Sequence, residues 1–434
     1  MNVLQVWFRD EPCGDLIEHE QGRLGFRYLD AWLEQGRVPV SLTLPLAPGE
    51  YGHEQVAPLV ANLLPEGQDL RGRLERLLHV DARHDFGLIS AIGRESAGAL
   101  SFWPEGESPR DRAPGYAELD MAEFTRWVEF AHRQPLLFHG NTIRLSLAGV
   151  QSKTALYFDE DGAPFVPENG AATTHIIKPR LPGCQPSTVF VELLTMRLAR
   201  AVLGADEVPE TDVWEGCYRI RRFDRPREDG TVVRLHQEDL CLALGQMPEG
   251  KYEFGSPRPA LLKECFGLID RLGGVGVIAA PALERQRLLN QVILNVLLHN
   301  TDAHLKNYAL LYDDSGQARI APMYDALCTY ELTFREESGP WDTPTGPQAH
   351  TRELSLRIGS AALIDQVSME DWSGFARECG FTAAFVRRRV RQLAESTREA
   401  LHVVIEQLSG QYPAVERAAG VFSAGVRMQL NNTA

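Results

Sequence analysis

The pattern of apolar positions near the start of the chain changes from alternation to helical spacing and back. Leu4, Val6 and Phe8 alternate with polar residues, which predicts a strand with a hairpin partner over 15–18. Apolar spacing predicts helices over 55–64 and 70–80, and strand character returns over 97–103. We interpret residues 1–105 as one domain, followed by an exposed linker over 105–113 that is rich in Pro, Ser and charge.

The middle of the chain reads as a helix followed by a set of strands. A helix is predicted over 121–133, strands over 146–158 and 174–178, and a hairpin over 213–223 that turns at Glu215-Gly216. A helix over 187–203 has Ser187 as its predicted N-cap and Gly204 just past its end. Residues 106–238 therefore have the make-up of a small nucleotide-binding lobe.

Helical spacing dominates after residue 239. The helix predicted over 283–298 has an apolar stripe formed by Leu288, Leu289, Val292, Ile293, Val296 and Leu297. Strands over 308–312 and 318–321 flank a turn at Asp313–Gly316, residues 336–350 read as a flexible insert, and residues 372–406 read as helical. We expect residues 239–434 to form a mainly α-helical part.

Composition narrows the functional classes. The 434 residues carry a net charge of −15, which opposes nucleic-acid binding by the whole molecule. The seven cysteines form no Cys-x-x-Cys pair, so we expect neither a disulfide framework nor a structural zinc site, and we expect a reducing cytoplasm. The sequence contains no signal peptide and no apolar run long enough for a membrane span, so we expect no membrane partner.

A carboxylate, an amide and a second carboxylate follow the predicted helix 283–298. Asp302 precedes Asn307, and Asp325 lies beyond the predicted hairpin. A kinase uses one carboxylate to take the proton of the attacking hydroxyl, and an amide and a second carboxylate to hold Mg²⁺. The order of these residues therefore predicts phosphoryl transfer, with Lys306 placed to balance charge on the phosphate.

Two other interpretations fit the same stretch. Asp302 and Asn307 could belong to a turn, and Asp325 could cap a following helix. Alternatively, His299, Asp302 and His304 have side chains of the types that bind zinc, but no cysteine lies nearby and no further histidine is spaced to complete a site. We prefer the kinase interpretation because it accounts for all three oxygen-bearing residues in their order.

Lys178 and Glu192 are candidates for a second kinase feature. Lys178 ends the predicted strand His175–Lys178, and Glu192 lies on the helix that follows. A strand lysine that contacts ATP phosphates and pairs with a helical glutamate is a feature of kinases. Taken alone, these two residues are better interpreted as an exposed lysine and a solvated glutamate. The presence of Asp302, Asn307 and Asp325 downstream favours the kinase interpretation.

Three further stretches have weaker signals. Ser146–Thr154 could bind phosphates through backbone N–H groups, but it lacks the second glycine of a Walker A loop, and a plain hairpin explains it better on its own. Arg221–Arg225 could be a linker that contacts adenine through its backbone, although Phe223 could equally be core. The basic run Arg387, Arg388, Arg389 and Arg391 is more typical of a solvated helix face than of a DNA contact.

Taken together, these segments resemble the HipA family of bacterial toxin kinases over nearly the whole chain. The segments that carry the resemblance are Leu42–Leu46, Asn62–Pro65, Ile92–Gly98, Ser146–Thr154, His175–Lys178, Arg222–Arg225, Gln237–Asp239, Asn300–Asn307 and Tyr324–Asp325. The last two segments are specific to the family, and the order of all nine segments together is strongly specific.

The resemblance implies a Ser/Thr protein kinase that uses ATP and Mg²⁺. The implied fold is α+β and protein-kinase-like with two lobes: an N-terminal subdomain over 1–105, a mixed β ATP-binding region over 106–238 and a helical catalytic lobe over 239–434. Asp302 is the implied catalytic base, Asn307 and Asp325 are the implied metal ligands, and Ser146 falls where the family autophosphorylates. The residues implied at the nucleotide site are Ala148, Gly149, Val150, Gln151, Ser152, Lys153, Lys178, Arg221, Arg222, Phe223, Gln237, His304, Lys306, Asn307 and Tyr324.

The resemblance also implies partners. A family toxin inhibits growth by phosphorylating an aminoacyl-tRNA synthetase, glutamyl-tRNA synthetase in the best-known case. It is neutralised by a small helix-turn-helix antitoxin of the HipB type, through which it reaches operator DNA. Two other functions stay open: a kinase of small-molecule hydroxyl groups, and a non-enzymatic co-repressor scaffold, whose acidic charge would suit a basic partner.

Overall fold

The chain forms two compact units, each assembled from separate stretches of sequence. Unit 1 comprises Met1–Pro179, Arg219–Glu249 and Leu310–Gln317, and unit 2 comprises Arg180–Tyr218, Gly250–Ala309 and Ala318–Ala434. The structure is a computed structural model. It describes residues 2–36, 38–111, 113–131, 137–139, 142–144, 152–181, 183–253, 260–334 and 352–433.

Unit 1 begins with an antiparallel sheet and the helices that cover its apolar face. Leu4, Val6 and Phe8 are buried, and Leu4 lies opposite Leu16 in the hairpin, so the predicted strand pair is confirmed. In spatial order the strands are Glu50–Tyr51, Leu24–Tyr28, Glu11–Glu18, Asn2–Phe8 and Leu100–Pro104. The helices are Asp30–Glu34, His53–Leu63, Gln68–Leu78 and Asp85–Ile92.

A second antiparallel sheet follows in unit 1. Its neighbouring strands are Gly115–Glu118, Pro164–Glu168, Thr154–Phe158 and His175–Lys178. Helix Met121–Phe130 begins at Asp120, whose side chain accepts hydrogen bonds from the Ala122 and Glu123 N–H groups. The remaining elements assigned to this part are strands Leu137–His139, Thr142–Arg144, Arg227–Glu228, Thr231–Val232, Gln237–Asp239 and Ala309–Tyr312, and helix Leu240–Ala243.

Unit 2 is mainly helical, and the two units together confirm the predicted α+β fold class. Its longest helix, Ala383–Gln411, packs against Thr188–Leu203 and Glu416–Asn432. The other helices are Leu261–Gly274, Pro281–Leu297 and Met369–Glu378. The strands are Cys184–Gln185, Thr211–Trp214, Ala318–Ile320, Thr333–Phe334, Glu353–Ile358 and Ala361–Leu363. Strand Cys217–Arg221 begins in unit 2 and continues into unit 1.

The stretch predicted to be helical over 372–406 consists of two helices. Met369–Glu378 begins with a capping box formed by Ser368 and Asp371. Gly380 then adopts φ +73°, a left-handed conformation that suits glycine and ends the helix. Thr382 caps the next helix by accepting from the Phe385 N–H. Apolar spacing continues across this break, so periodicity alone could not reveal it.

Two smaller predictions have clear outcomes. The hairpin turn at Glu215-Gly216 is confirmed, with φ values of 48° and 71°. Ser187 does occupy the N-cap position of helix Thr188–Leu203, but its side chain makes no capping hydrogen bond. All seven cysteines are buried, and no disulfide joins any two of them. Among the described helices, none combines the length and apolar character required to cross a bilayer.

A buried carboxylate, Glu238, joins the N-terminal sheet region of unit 1 to strand Gln237–Asp239. Its Oε1 accepts from Ser41 Oγ at 2.5 Å, both oxygens lie 3.2 Å from the Leu42 N–H, and Oε2 accepts from Tyr312 Oη at 3.2 Å. Burial raises the pKa of Glu238 to about 7, against the effect of these donors.

Replacement of Glu238 by Gln should change how the stability of unit 1 depends on pH. The folded pKa lies above the ordinary value of 4.5, so the folded state binds more protons between pH 4.5 and pH 7, and the free energy of unfolding falls as pH rises through that window. The loss in the wild type is roughly 3 kcal/mol. Thermal denaturation at pH 5 and pH 8 should therefore show the wild type losing stability relative to Glu238→Gln.

Glu18→Gln is the control for this prediction. Burial opposes ionisation of Glu18, but hydrogen bonds from His84 and Asn2 outweigh it and lower its pKa. Glu18 therefore stabilises the fold at neutral pH, and the wild type should lose stability relative to Glu18→Gln as pH falls. Identical pH trends for the two variants would contradict the assignment.

Candidate active site

Helix Pro281–Leu297 supports the candidate site in unit 2. Its predicted apolar stripe is confirmed, since Leu288, Leu289, Val292, Ile293, Val296 and Leu297 are all buried. The helix also buries polar side chains that hold the chain beyond it: Gln291 Nε2 donates to the Ala321 carbonyl at 2.8 Å, and Asn295 Nδ2 donates to Tyr308 Oη at 3.1 Å.

The loop that leaves this helix is held by buried hydroxyl and amide groups. Asn300 Nδ2 donates to Asn295 Oδ1 at 2.8 Å, and Asn300 Oδ1 accepts from the Asp302 N–H at 3.1 Å. Thr301 Oγ1 lies 2.8 Å from Thr329 Oγ1, and the Thr301 carbonyl accepts from both Ser355 N and Ser355 Oγ. The backbone on both sides of Asp302 is therefore fixed, while the Asp302 side chain is exposed.

The Tyr252 side chain contacts the Asp302 carboxylate. Tyr252 Oη donates to Asp302 Oδ1 at 3.2 Å, and the Tyr252 ring packs edge-on against His304 with centroids 5.2 Å apart. This hydrogen bond orients a carboxylate that is open to solvent. A carboxylate so placed can accept a proton from a hydroxyl group that approaches it.

Asn307 lies between the other two predicted residues. Its Nδ2 donates to the Asp325 carbonyl at 3.1 Å and lies 3.4 Å from the Asp302 carbonyl. Because two carbonyl oxygens face the amide NH₂ group, the amide oxygen of Asn307 is directed away from them. Amide and carboxylate oxygens are the ligands that Mg²⁺ prefers, so this orientation fits a metal ligand.

Asp325 has an exposed side chain and an unusual backbone conformation. Its φ of 56° lies in the left-handed region, which Asp and Asn tolerate better than most residues. The preceding Tyr324 donates from Oη to the Lys306 carbonyl at 2.6 Å, which joins this turn to the short helix Leu305–Asn307. Asp302, Asn307 and Asp325 are thus brought together through Asn307, while His304 and Lys306 are nearly buried beside them.

The two alternative interpretations of this stretch are not supported. No helix begins in the described stretch 326–334, so Asp325 does not cap a helix there. His299 is turned away from a possible zinc site, because its Nδ1 lies 3.0 Å from Gln429 Nε2, and burial lowers its pKa to about 4. Within the described ranges, no group of three or more His, Cys, Asp or Glu side chains is placed to hold a metal ion.

Several predicted nucleotide residues lie in unit 1. Lys178 is 5% exposed, and Ser152 Oγ donates to the Ala131 carbonyl at 2.8 Å. The Arg222 guanidinium bonds to Glu95 and Asp224, and the Arg222 backbone N–H donates to the Thr174 carbonyl. An adenine contact through the Arg222 backbone would therefore use its carbonyl. Lys153, Arg221, Phe223 and Gln237 are described, whereas Ser146, Ala148, Gly149, Val150 and Gln151 and the predicted insert 336–350 lie outside the described residues.

Glu192 is 4% exposed on helix Thr188–Leu203 of unit 2. The alternative in which Lys178 is exposed and Glu192 solvated is therefore wrong, and their pairing stays a prediction. The basic run is a largely solvated face, as expected: Arg387, Arg388 and Arg391 are exposed, while Arg389 Nε donates to Asn290 Oδ1.

Sequence reasoning missed the groups that hold the candidate site in place. Tyr252 lies 50 positions before Asp302 along the chain, and nothing in the sequence connects the two. Asn295 and Asn300 could have been predicted to hold the loop. They lie beside the end of an apolar helix, where buried amides need hydrogen-bond partners. Thr329 and Ser355 carry no such signal.

Two family models and several relatives match this chain. Residues 145–401 match the HipA-like C-terminal domain, and residues 4–103 match the HipA N-terminal domain. Y4mE of Sinorhizobium fredii, whose name proposes a kinase, is 36% identical over 95% of this chain and 94% of its own length. The serine/threonine-protein kinase toxin HipA of Shewanella oneidensis is 33% identical over 75% of each chain.

A solved structure supports the same fold. The S. oneidensis HipA structure, determined in a complex with HipB and operator DNA, matches with a TM-score of 0.76 at 24% identity and covers 99% of this chain and 96% of that one. The domain matches, the identities and the arrangement of Asp302, Asn307 and Asp325 lead to one conclusion. The chain belongs to the HipA family of kinases.

Proposed function

We propose that the chain is an ATP- and Mg²⁺-dependent serine/threonine protein kinase that acts as the growth-inhibiting toxin of a toxin–antitoxin module. Membership of a kinase family implies the use of ATP. The observation that carries the finer proposal is the surface carboxylate of Asp302 on a rigid loop, with Asn307 directly beside it and bonded to the Asp325 backbone.

Each of these three residues has one role in the proposed reaction. Asp302 accepts the proton of the serine or threonine hydroxyl as that oxygen attacks the terminal phosphorus of ATP, and the bond from this phosphorus to the bridging oxygen breaks to release ADP. The Asn307 amide oxygen and the Asp325 carboxylate would hold Mg²⁺, which would offset charge on the phosphates. Phosphoryl transfer depends mainly on such positioning and charge stabilisation, so a rigid loop is what this chemistry requires.

Residues of the two regions predicted over 106–238 and 239–434 would bind the nucleotide. Lys178 would contact the ATP phosphates and pair with Glu192, and Lys153 would belong to a phosphate loop with residues 148–152. Burial of Lys178 and Glu192 supports this role, because buried charged side chains are almost always paired. The other proposed nucleotide residues are Arg221, Arg222, Phe223, Gln237, His304, Lys306 and Tyr324.

Ser146 is the proposed site of autophosphorylation. A phosphate there would add about −1.5 to −2 charge next to the loop proposed to bind ATP phosphates. Like charges would repel, so the phosphorylated loop would leave the site and the kinase would be silenced.

The proposed partners follow from the relatives. A small helix-turn-helix antitoxin of the HipB type would neutralise the chain and connect it to operator DNA, as the S. oneidensis complex of HipA, HipB and operator DNA suggests. The net charge of −15 supports a basic antitoxin. The proposed substrate is an aminoacyl-tRNA synthetase of the cytoplasm, with glutamyl-tRNA synthetase as the first candidate.

Replacement of Asp302 by Asn should nearly abolish phosphoryl transfer. Asparagine keeps the shape of the side chain but cannot accept the proton, and a general base contributes about 10²- to 10⁴-fold to rate. The measurement is transfer of radiolabel from ATP to the chain itself and to added glutamyl-tRNA synthetase. Asp206→Asn, at an exposed aspartate of the same unit, should remain fully active; equal transfer by wild type and Asp302→Asn would refute the proposed function.

Replacement of Asp325 by Asn should raise the Mg²⁺ requirement. Asparagine tolerates the left-handed backbone at this position, so the change removes a charged ligand without straining the turn. The Mg²⁺ concentration for half-maximal activity should rise at least about tenfold. Mutation of a residue that only hydrogen-bonds to a metal ligand already weakens metal binding by about that factor, and Asp325 is proposed as a ligand itself. An unchanged Mg²⁺ dependence would rule out Asp325 as a ligand.

Replacement of Tyr252 by Phe should lower kcat about fivefold and leave the KM for ATP unchanged. The variant keeps the ring against His304 but loses one hydrogen bond to the Asp302 carboxylate, worth about 1 kcal/mol. Tyr412→Phe, which removes the hydroxyl that accepts from the Val213 N–H in the same unit, is the control and should keep its rate. Full activity of Tyr252→Phe would show that this hydrogen bond does not orient the base.

A further inference from the structure

Within unit 1, the N-terminal domain contacts several short segments of the rest of the chain, and three of these contacts concern the inference. Ser41 and Leu42 bond to Glu238, and Asn62 Nδ2 donates to the Gln246 carbonyl at 2.9 Å. The segment Glu95–Gly98 contacts the segment Arg222–Arg225. Arg222, Phe223 and Gln237, all proposed nucleotide residues, lie inside or next to these contacted segments.

The Glu95 carboxylate forms ion pairs with three arginines. Its Oε1 lies 3.2 Å from Arg222 Nη1 and 3.2 Å from Arg225 Nη2, and its Oε2 pairs with Arg234. The side chains of Glu95, Arg222 and Arg225 are 7%, 2% and 0% exposed. Because removal of one partner from a buried ion pair leaves an uncompensated charge, loss of Glu95 would remove part of the charge that balances these three arginines.

A second carboxylate completes the cluster from within the kinase domain. Asp224 accepts from Arg222 Nη2 and Arg225 Nη1, both at 2.7 Å, and from the Gly98 N–H at 3.0 Å. Burial opposes ionisation of Glu95, but the charges of Arg234, Arg225 and Arg222 outweigh it and lower its pKa. Two carboxylates therefore face three guanidinium groups, and loss of the Glu95 charge would leave two positive charges unbalanced.

The backbone of Gly98 also lies directly against the backbone of Gln237. Gly98 has φ +74°, and a Cβ atom there would come within 2.7 Å of the Gln237 nitrogen and 3.0 Å of its oxygen. The N-terminal domain thus contacts the backbone beside both proposed nucleotide segments.

We propose that Glu95 is a positioning residue for nucleotide binding: it holds the segment Arg222–Arg225 in the arrangement that ATP needs, without touching the nucleotide. This inference rests on the proposed function, because it takes Arg222 and Phe223 as nucleotide contacts. Without the Glu95 charge, the arginines must move apart or admit water, so ATP must reorder the segment when it binds. Asp302, Asn307 and Asp325 belong to unit 2 and keep their own hydrogen bonds, so the reaction of bound ATP proceeds as before.

The test is Glu95→Gln in the full-length chain, with the rate of self-labelling measured as a function of ATP concentration. We expect the KM for ATP to rise about tenfold, which corresponds to about 1.4 kcal/mol of binding free energy, and kcat at saturating ATP to stay within about twofold. Glu18→Gln is the matched control, since Glu18 is also nearly buried but bonds to His84 and Asn2 inside the N-terminal domain. It should leave both constants unchanged.

A charge-restoring variant separates positioning from a general loss of stability. Glu95→Gln combined with Arg234→Gln brings the cluster back to one excess positive charge, and we expect it to recover most of the ATP affinity. If Glu95→Gln does not fold by circular dichroism, Thr173→Val takes its place. It removes the hydroxyl that donates to Glu95 Oε1 and accepts from Arg222 Nη1, and we expect the KM for ATP to rise about threefold.

Three outcomes would overturn the inference. They are an unchanged or lower KM for ATP in folded Glu95→Gln, an equal rise in Glu18→Gln, and a fall in kcat without a change in KM. Binding of the fluorescent nucleotide mant-ATP separates this failure from failure of the proposed function. A wild type that binds mant-ATP but transfers no phosphate contradicts the proposed function, while the ratio of mant-ATP affinities in Glu95→Gln and wild type still decides the inference.

Discussion

Hydrogen bonds among buried amide and hydroxyl groups hold the loop that carries Asp302, and the proposed chemistry depends on them. Asn295, Asn300, Thr301, Thr329 and Ser355 bond to one another or to the loop backbone. Buried polar groups of this kind cost free energy when they lose a partner. The loop therefore has one favoured arrangement, and the exposed carboxylate at its end is held without having to be buried itself.

Unit 1 uses buried polar groups in a comparable way, but with charges. Glu95 and Asp224 face Arg222, Arg225 and Arg234, and Glu238 receives donors from a loop of the N-terminal domain. Such groups contribute little net stability compared with apolar residues of the same volume. They fix the positions of the segments that carry them. This explains why they lie where segments distant in sequence meet, next to the proposed nucleotide contacts.

Much of this arrangement could be predicted from the sequence, for identifiable reasons. The stripe from Leu288 to Leu297 revealed the helix before Asp302, and the order of Asp302, Asn307 and Asp325 indicated phosphoryl transfer, because both signals are local. The contact of Tyr252 with Asp302 and that of Glu95 with three arginines could not be predicted. They join residues far apart in sequence, and buried charged clusters contradict the ordinary expectation that charged residues lie at the surface. The break at Gly380 was missed because apolar spacing continues through it.

The central claim is that Asn307 and Asp325 hold a divalent ion next to bound ATP, within reach of Asp302. A crystal structure of the chain with Mn²⁺ and a non-hydrolysable ATP analogue tests it most directly, because manganese is located by its anomalous signal. The account predicts a manganese peak coordinated by Asn307 Oδ1, the Asp325 carboxylate and phosphate oxygens, with the Asp302 carboxylate facing the terminal phosphate. A manganese peak elsewhere, or an analogue bound away from these residues, would contradict it.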